Sequence, residues 1–275
     1  MAEQANQGHV QLSPGVNLDQ PSAARIYDYM LGGYQNFEID RQVADKFTAL
    51  LPDFSLTARV NRAFLRRAAT IVARQGIDQF LDLGSGIPTV GNVHEIVRQY
   101  QPEARTVYVD IDPVAIAHAE ILLQDDPDTV AVLADVRRPD DILGNPRVQA
   151  LIDFTRPVGL VAVALLHYIL DDDEAENVID TFKNALPSGS YVAIGVWTYD
   201  DAPREIMEQY AEMTHVFLTP GAPRPREKVL RYFRGLDLLE PGLVHGPQWR
   251  PDGPDDLLVD EPGRGVNWVG VARKP

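Results

Sequence analysis

The hydrophobic pattern changes period once along the chain. Between residues 21 and 75 apolar positions recur at helical spacing, and from residue 79 short apolar runs alternate with amphipathic stretches. Residues 1–20 are polar and aperiodic and are read as a flexible tail. Pro21-Ser22 opens a first helix over AARIYDYMLGG, with Ser22 as its N-cap and Gly32-Gly33 as its stop. A second helix is predicted over Ile39–Leu50 and a third from a Ser55 cap through Ala73. Val60, Phe64, Ala68, Ile71 and Val72 form the apolar stripe of the third; Arg59, Arg62, Arg66 and Arg67 read as its solvated face. Together these helices make an N-terminal helical cap over residues 21–75.

The remainder, residues 76–275, alternates strand and helix. Strands are predicted at Phe80–Leu83, Thr106–Val109, Val130–Ala134, Leu160–Leu166 and Tyr191–Trp197. Helices are predicted between them at Gly91–Tyr100, Pro113–Leu123 and Glu174–Leu186. That order predicts an α/β fold: a doubly wound, mostly parallel sheet with right-handed crossovers. After the fifth strand come a helix around Pro203–Phe217, a break at Pro220, Pro223 and Pro225, and a short helix at Glu227–Phe233. Two strand candidates, Leu243–Trp249 and Val266–Ala272, have no helix between them and predict an antiparallel pair at the sheet edge.

Composition narrows the partners. A net charge of −15 argues against a phosphate backbone, which is bound by clustered cations. The absence of cysteine removes disulfides, thiolate metal sites and cysteine nucleophiles, and fits a reducing compartment. The first residues show no signal pattern, and the longest apolar run, Val158–Leu166, falls short of the ~18 residues of a membrane span. The expectation is a cytoplasmic protein with no nucleic-acid or membrane partner.

The candidate chemistry lies where strand one meets Gly84-Ser85-Gly86. Asp82, Asp110 and Asp135 stand at three successive strand ends, facing the crevice in which open α/β sheets bind ligands. Asp110 follows Gly86 at roughly the 20-residue separation at which an acidic residue accepts from ribose hydroxyls. The third glycine of a dinucleotide fingerprint, counted from Gly84, is replaced by Thr89, and Asp82 would repel a pyrophosphate. A cationic adenosyl ligand resolves both points. S-adenosylmethionine, with its ammonium and sulfonium, is such a ligand.

DLGSGIP resembles the first motif of the class I S-adenosylmethionine-dependent methyltransferases, VDIDP the second, and ADV at 134–136 the third. The resemblance covers about residues 56–275 and departs from the family pattern at Pro88, which takes the place of the last glycine. It implies a seven-stranded Rossmann-like sheet with an antiparallel C-terminal strand. PSAARIYDYMLGGYQNFEIDR, residues 21–41, is similar to the N-terminal signature of a largely actinobacterial S-adenosyl methyltransferase family long called a domain of unknown function.

These resemblances imply a site. The N-terminal segment would lie over the cofactor, with Tyr27, Met30, Gly33 and Asn36 in contact by position. Arg25 or Arg41 would meet the methionine carboxylate, unless Arg25 pairs with Asp28 or Asp40. Asp82, Gly84 and Gly86 would bind the methionine end, Asp110 the ribose, and Asp135 and Val136 the adenine, with Ile111 and, at the end of strand four, Leu165 also in contact with the cofactor. His167 is either a general base with a pKa near working pH or a strand cap bonded to backbone. Asp171–Asp173 read as the start of the next helix, and no metal ligand set is assigned. Trp197, Thr198 and Tyr199 would wall an acceptor pocket; Tyr210, Met213 and Phe217 are core or pocket wall. The implied activity is methyl transfer to a small-molecule acceptor. A non-catalytic S-adenosylmethionine-binding protein and a nicotinamide-dependent oxidoreductase are the alternatives.

Overall fold

A computed structural model describes residues 20–88, 91–201, 204–205, 208–209, 212, 221–254 and 256–275. Among these the strands are β1 (Gln79–Leu83), β2 (Arg105–Asp110), β3 (Thr129–Leu133), β4 (Gly159–Val163) and β5 (Tyr191–Trp197), then β6 (Asp237–Leu238), β7 (Val244–His245) and β8 (Asn267–Arg273). They join in one sheet in the order β3-β2-β1-β4-β5-β8-β6, with β7 also on β8. The first five are parallel and β8 runs antiparallel to β5. Strand order reverses between β1 and β4, so the crevice at their carboxyl ends is the switch point of a doubly wound sheet.

The seven-stranded expectation meets an interrupted edge. Leu238 pairs with Ala272 and Val244 with Val269, so β6 and β7 are two pieces of a single strand position beside β8. The candidate Leu243–Trp249 shortens to β7 because Gly246–Gln248 turns into a 3-10 helix. Trp249 is thereby buried edge-on against Phe64, 5.3 Å between ring centroids. Strand four also ends earlier than its apolar run suggests. Ala164 adopts a left-handed backbone (φ 58°), and a 3-10 turn over Leu166–Tyr168 follows. The helix expected at Gly91–Tyr100 is a short one, Val93–Val97, capped by Asn92, with Glu95 accepting from the Asn92 N–H at 2.8 Å.

Strand periodicity distributes the core over both faces. On β1, Leu81 and Leu83 enter the layer that holds Leu160, Ile179 and Phe182; Phe80 enters the opposite layer with Phe64, Ala68 and Trp249. Asp82 therefore points to the face covered by α3 (Phe54–Arg74). The two preceding helices, α1 (Ala23–Met30) and α2 (Glu38–Leu50), pack around Ile26, Val43, Ala44, Phe47 and Trp197. Their junction is the buried Arg25–Asp40 pair at 2.7 Å, with Asp40 also accepting from the Ser22 and Phe37 amides. Ser22 stands at the N-cap of α1, but its hydroxyl donates to Asp112 instead of capping the helix.

Residues 1–19 lie outside the described residues, as do Thr89, Tyr210, Met213, His215, Phe217 and Pro220. Of the helix predicted over Pro203–Phe217, Arg204, Glu205, Glu208, Gln209 and Glu212 are described and are helical. No described helix is long and apolar enough to cross a membrane.

Candidate active site

The chain leaves β1 through two left-handed residues, Gly84 and Gly86, both at φ +67°, a conformation that disfavours any side chain. A Cβ on Gly84 would also stand 2.6 Å from Leu165 Cδ1. The Gly86 N–H donates to Asp110 Oδ2 at 2.7 Å, while Asp110 Oδ1 accepts from Asp112 N at 2.9 Å. The carboxylate ending β2 thus ties down the glycine turn after β1.

Around this turn lies a cavity of about 530 Å³. It brings together Tyr27, Asp82, Gly84, Gly86, Asp110, Ile111, Asp135, Val136 and Leu165 of the residues expected from sequence. Asp135 is not free there: Arg137 holds its carboxylate through the backbone N–H and the guanidinium, at 2.6 to 3.0 Å.

Met30, Gly33 and Asn36 are not in this cavity. Met30 packs into the cap's apolar cluster. Gly33 and Asn36 serve Asp28 instead. A Cβ on Gly33 would lie 2.0 Å from Asp28 Oδ1, and Asn36 Nδ2 donates to Asp28 Oδ2 at 2.8 Å. The paired glycines let the backbone wrap a buried carboxylate, a need that looks the same in sequence as closing over a ligand. Arg41 pairs with Glu38 at 2.8 Å, and Arg25 is engaged by Asp40.

His167 is likewise displaced from the expected role. It is absent from the cavity lining, and burial, with the Arg224 cation, pulls its pKa down to about 3. Burial disfavours the protonated form that a base poised near neutrality would take, and Nδ1 caps no backbone group among the described residues. Asp171 caps the following helix, accepting from Glu174 N at 2.8 Å, and Asp172 is bound by Arg224 and Lys228.

Asn61, Arg62 and Tyr168 are among the cavity residues that the sequence reading does not assign to the site. The four arginines of α3 do not share a face. At 100° per residue they spread over roughly 140°, with Arg62 falling beside Ala58 and Leu65 on the buried side. Arg67 is buried too, donating to the carbonyls of Trp249 and Gly246 and pairing with Asp256. The Arg62 guanidinium lies over the Tyr27 ring, 5.9 Å from its centroid. Its Nε is buried without a hydrogen-bond partner among the described residues.

Electrostatically the cavity is poised for a charged guest. Burial pushes the Asp82 carboxyl up to about 7; Arg62 pulls it down and Asp110 pushes it up. Burial also raises Asp110, against the pull of the amides it accepts. The phenols of Tyr27 and Tyr168 are pushed up to about 12, chiefly by burial, and stay neutral at pH 7.

A doubly wound sheet with an antiparallel last strand, a glycine turn at its switch point and an aspartate ending β2 define a class I, Rossmann-like methyltransferase fold. A family model described as S-adenosyl methyltransferase matches residues 9–275, and the chain belongs to that family. It is 41% identical to a proposed methyltransferase from Thermobifida fusca YX whose crystal structure superposes with a TM-score of 0.89, covering 96% of this chain and 99% of that one. A DUF574 family protein from Streptomyces avermitilis MA-4680 is 36% identical, with a TM-score of 0.88 and coverage of 93% and 98%. A search of the curated proteins finds no match. The protein is therefore an S-adenosylmethionine-dependent methyltransferase, with S-adenosylmethionine as its cofactor, and the nicotinamide alternative is set aside.

Proposed function

We propose that the 530 Å³ cavity holds the cofactor with its amino-acid end between Arg62 and Asp82, and that the methyl passes to a small-molecule acceptor. The observation that carries this reading is Arg62, a cation that lines the cavity and makes no hydrogen bond or ion pair among the described residues. Buried donors are rarely left unmatched, and a carboxylate is the acceptor a guanidinium matches best. Asp82, on the same wall, is the counterpart for an ammonium. Asp110 accepts one N–H on each oxygen and keeps lone pairs for ribose hydroxyls. Asp135 has Arg137 as a competitor, so Val136 and Ile111 carry more of the adenine end in this reading.

When bound, the cofactor supplies an electrophilic methyl on a sulfonium that leaves as a thioether. The chain's own contribution is orientation and exclusion of water. At pH 7 the phenols of Tyr27 and Tyr168 keep their protons, and the buried His167, although unprotonated, is a weak base, so this reading assigns none of them the role of a general base.

A small acceptor is supported by the acidity of the chain and by the N-terminal segment, whose residues Gln20 to Arg25 line the cavity. The test is transfer of a labelled methyl into a bacterial extract separated by size. Label is expected in the small-molecule fraction; label confined to protein or nucleic acid contradicts the acceptor class.

A further inference from the structure

We infer that Tyr168 is the residue with which this cavity tells a sulfonium from a thioether, so that it favours the methylated cofactor over its demethylated product. The inference rests on the proposed cofactor placement and adds a specificity-determining residue to it.

Tyr168 is held more firmly than a pocket lining requires. The left-handed Ala164 and the 3-10 turn Leu166–Tyr168 swing the chain away from β4. The buried Arg224 then clamps both sides of Tyr168, donating to the Leu166 carbonyl at 2.8 Å and the Ile169 carbonyl at 2.5 Å. His167 braces the ring from one side, 4.3 Å between centroids, and itself meets Trp197 at 6.1 Å. The buried, neutral His167 thus acts as a wall behind Tyr168.

The two tyrosines of the cavity differ in what their hydroxyls do. Tyr27 Oη donates to the Ala58 carbonyl at 3.0 Å. Tyr168 Oη makes no hydrogen bond among the described residues, although the ring lines the cavity. The packing orders the groups along the cavity. The Arg62 guanidinium lies over the Tyr27 ring at one end. The Tyr168 N–H donates to the Leu165 carbonyl at 2.9 Å, and the Leu165 side chain meets Gly84, which sits between Asp82 and the Gly86 amide held by Asp110. Tyr168 therefore stands between the groups assigned to the amino-acid end and the one assigned to the ribose. In the cofactor the sulfur lies between those same two ends.

S-adenosylmethionine and S-adenosylhomocysteine differ there by one methyl and one positive charge. A neutral phenol offers a cation both its π face and an uncommitted oxygen; to a thioether it offers contact and at most a weak O–H···S bond. An aromatic ring with an unpaired hydroxyl at that position favours the charged form. Arg62, at the far end, treats both ligands alike.

The experiment is calorimetric titration of the full chain and its variants with S-adenosylmethionine and S-adenosylhomocysteine, reading the ratio of the two dissociation constants. Tyr168→Leu is expected to weaken the first about five- to thirty-fold relative to the second. Tyr168→Phe, which keeps the ring, is expected to move the ratio about two- to five-fold and carries the test alone where the leucine variant does not fold. An analogue bearing an ammonium in place of the sulfonium should follow S-adenosylmethionine. Arg62→Ala should weaken both ligands by one factor. Equal weakening of both ligands by the Tyr168 variants, or no change, overturns the inference and leaves the cofactor site standing. Failure of the unaltered protein to bind either ligand overturns the site and the inference together.

Discussion

Arg62 and Asp82 line one cavity as opposite charges without forming an ion pair among the described residues. A structural pair would have closed the gap, as Arg25 and Asp40 do at 2.7 Å a short distance away in the cap. Open, the two present a cation and a poised carboxyl to the same guest, the arrangement a zwitterion needs.

Keeping Asp82 unpaired destabilises the protein without its ligand. A carboxyl raised from 3.8 to about 7 favours folding only while it is protonated, so that part of the stability is complete below pH 4 and lost as pH rises through 7. At about 1.4 kcal/mol per pKa unit the loss approaches ~4 kcal/mol. Asp82→Asn should therefore raise the melting temperature of the ligand-free protein at pH 8 and flatten its decline between pH 5 and 8, while weakening cofactor binding. Denaturation curves across that range, with and without the cofactor, check both halves.

The two left-handed glycines should fail differently. An alanine in that backbone region costs about 1–2 kcal/mol at either position. At Gly84 the new Cβ also meets Leu165, so Gly84→Ala should lose the more stability. At Gly86, which lines the cavity, the Cβ meets nothing within 4 Å. Gly86→Ala should stay nearly as stable as that strain allows and lose cofactor binding out of proportion. Melting temperatures paired with binding titrations separate the two.

Arg25 and Arg41 are interchangeable as sequence candidates, and their variants should not be. Removing Arg25 leaves Asp40 charged and buried, at about 3–5 kcal/mol, and should unseat α1 from α2. Arg41→Ala breaks an exposed pair and two hydrogen bonds to Asn36 at 3.1 and 3.2 Å, leaves no buried charge behind, and should cost much less. Urea denaturation of both variants measures the difference.

What can be read from the chain divides by the range of the interactions involved. Alternation of apolar runs with helical stretches is local, and so are a glycine turn after an apolar run and an aspartate at a strand end. The sheet, its crevice and Asp82, Gly84, Gly86 and Asp110 follow from these. Met30, Gly33 and Asn36 are misplaced by sequence because proximity to Tyr27 does not say on which side of α1 a residue faces, and the buried Asp28 that organises Gly33 and Asn36 looks like any surface acid. Arg62 is hidden among three other arginines whose angular spread a linear reading blurs. Tyr168 depends on the backbone of Ala164, which no residue type signals, since alanine seldom turns left-handed.

The most direct test of the account is a titration of the protein with S-adenosylmethionine near pH 6.5 in buffers of different ionisation enthalpy, repeated with Arg62→Ala. The account predicts one site and release of close to half a proton or more as the ammonium draws Asp82 into its charged form. It also predicts a loss of about ten- to a hundred-fold in affinity for the variant, with its melting temperature little changed. Binding without proton release, and with affinity indifferent to Arg62, would contradict it.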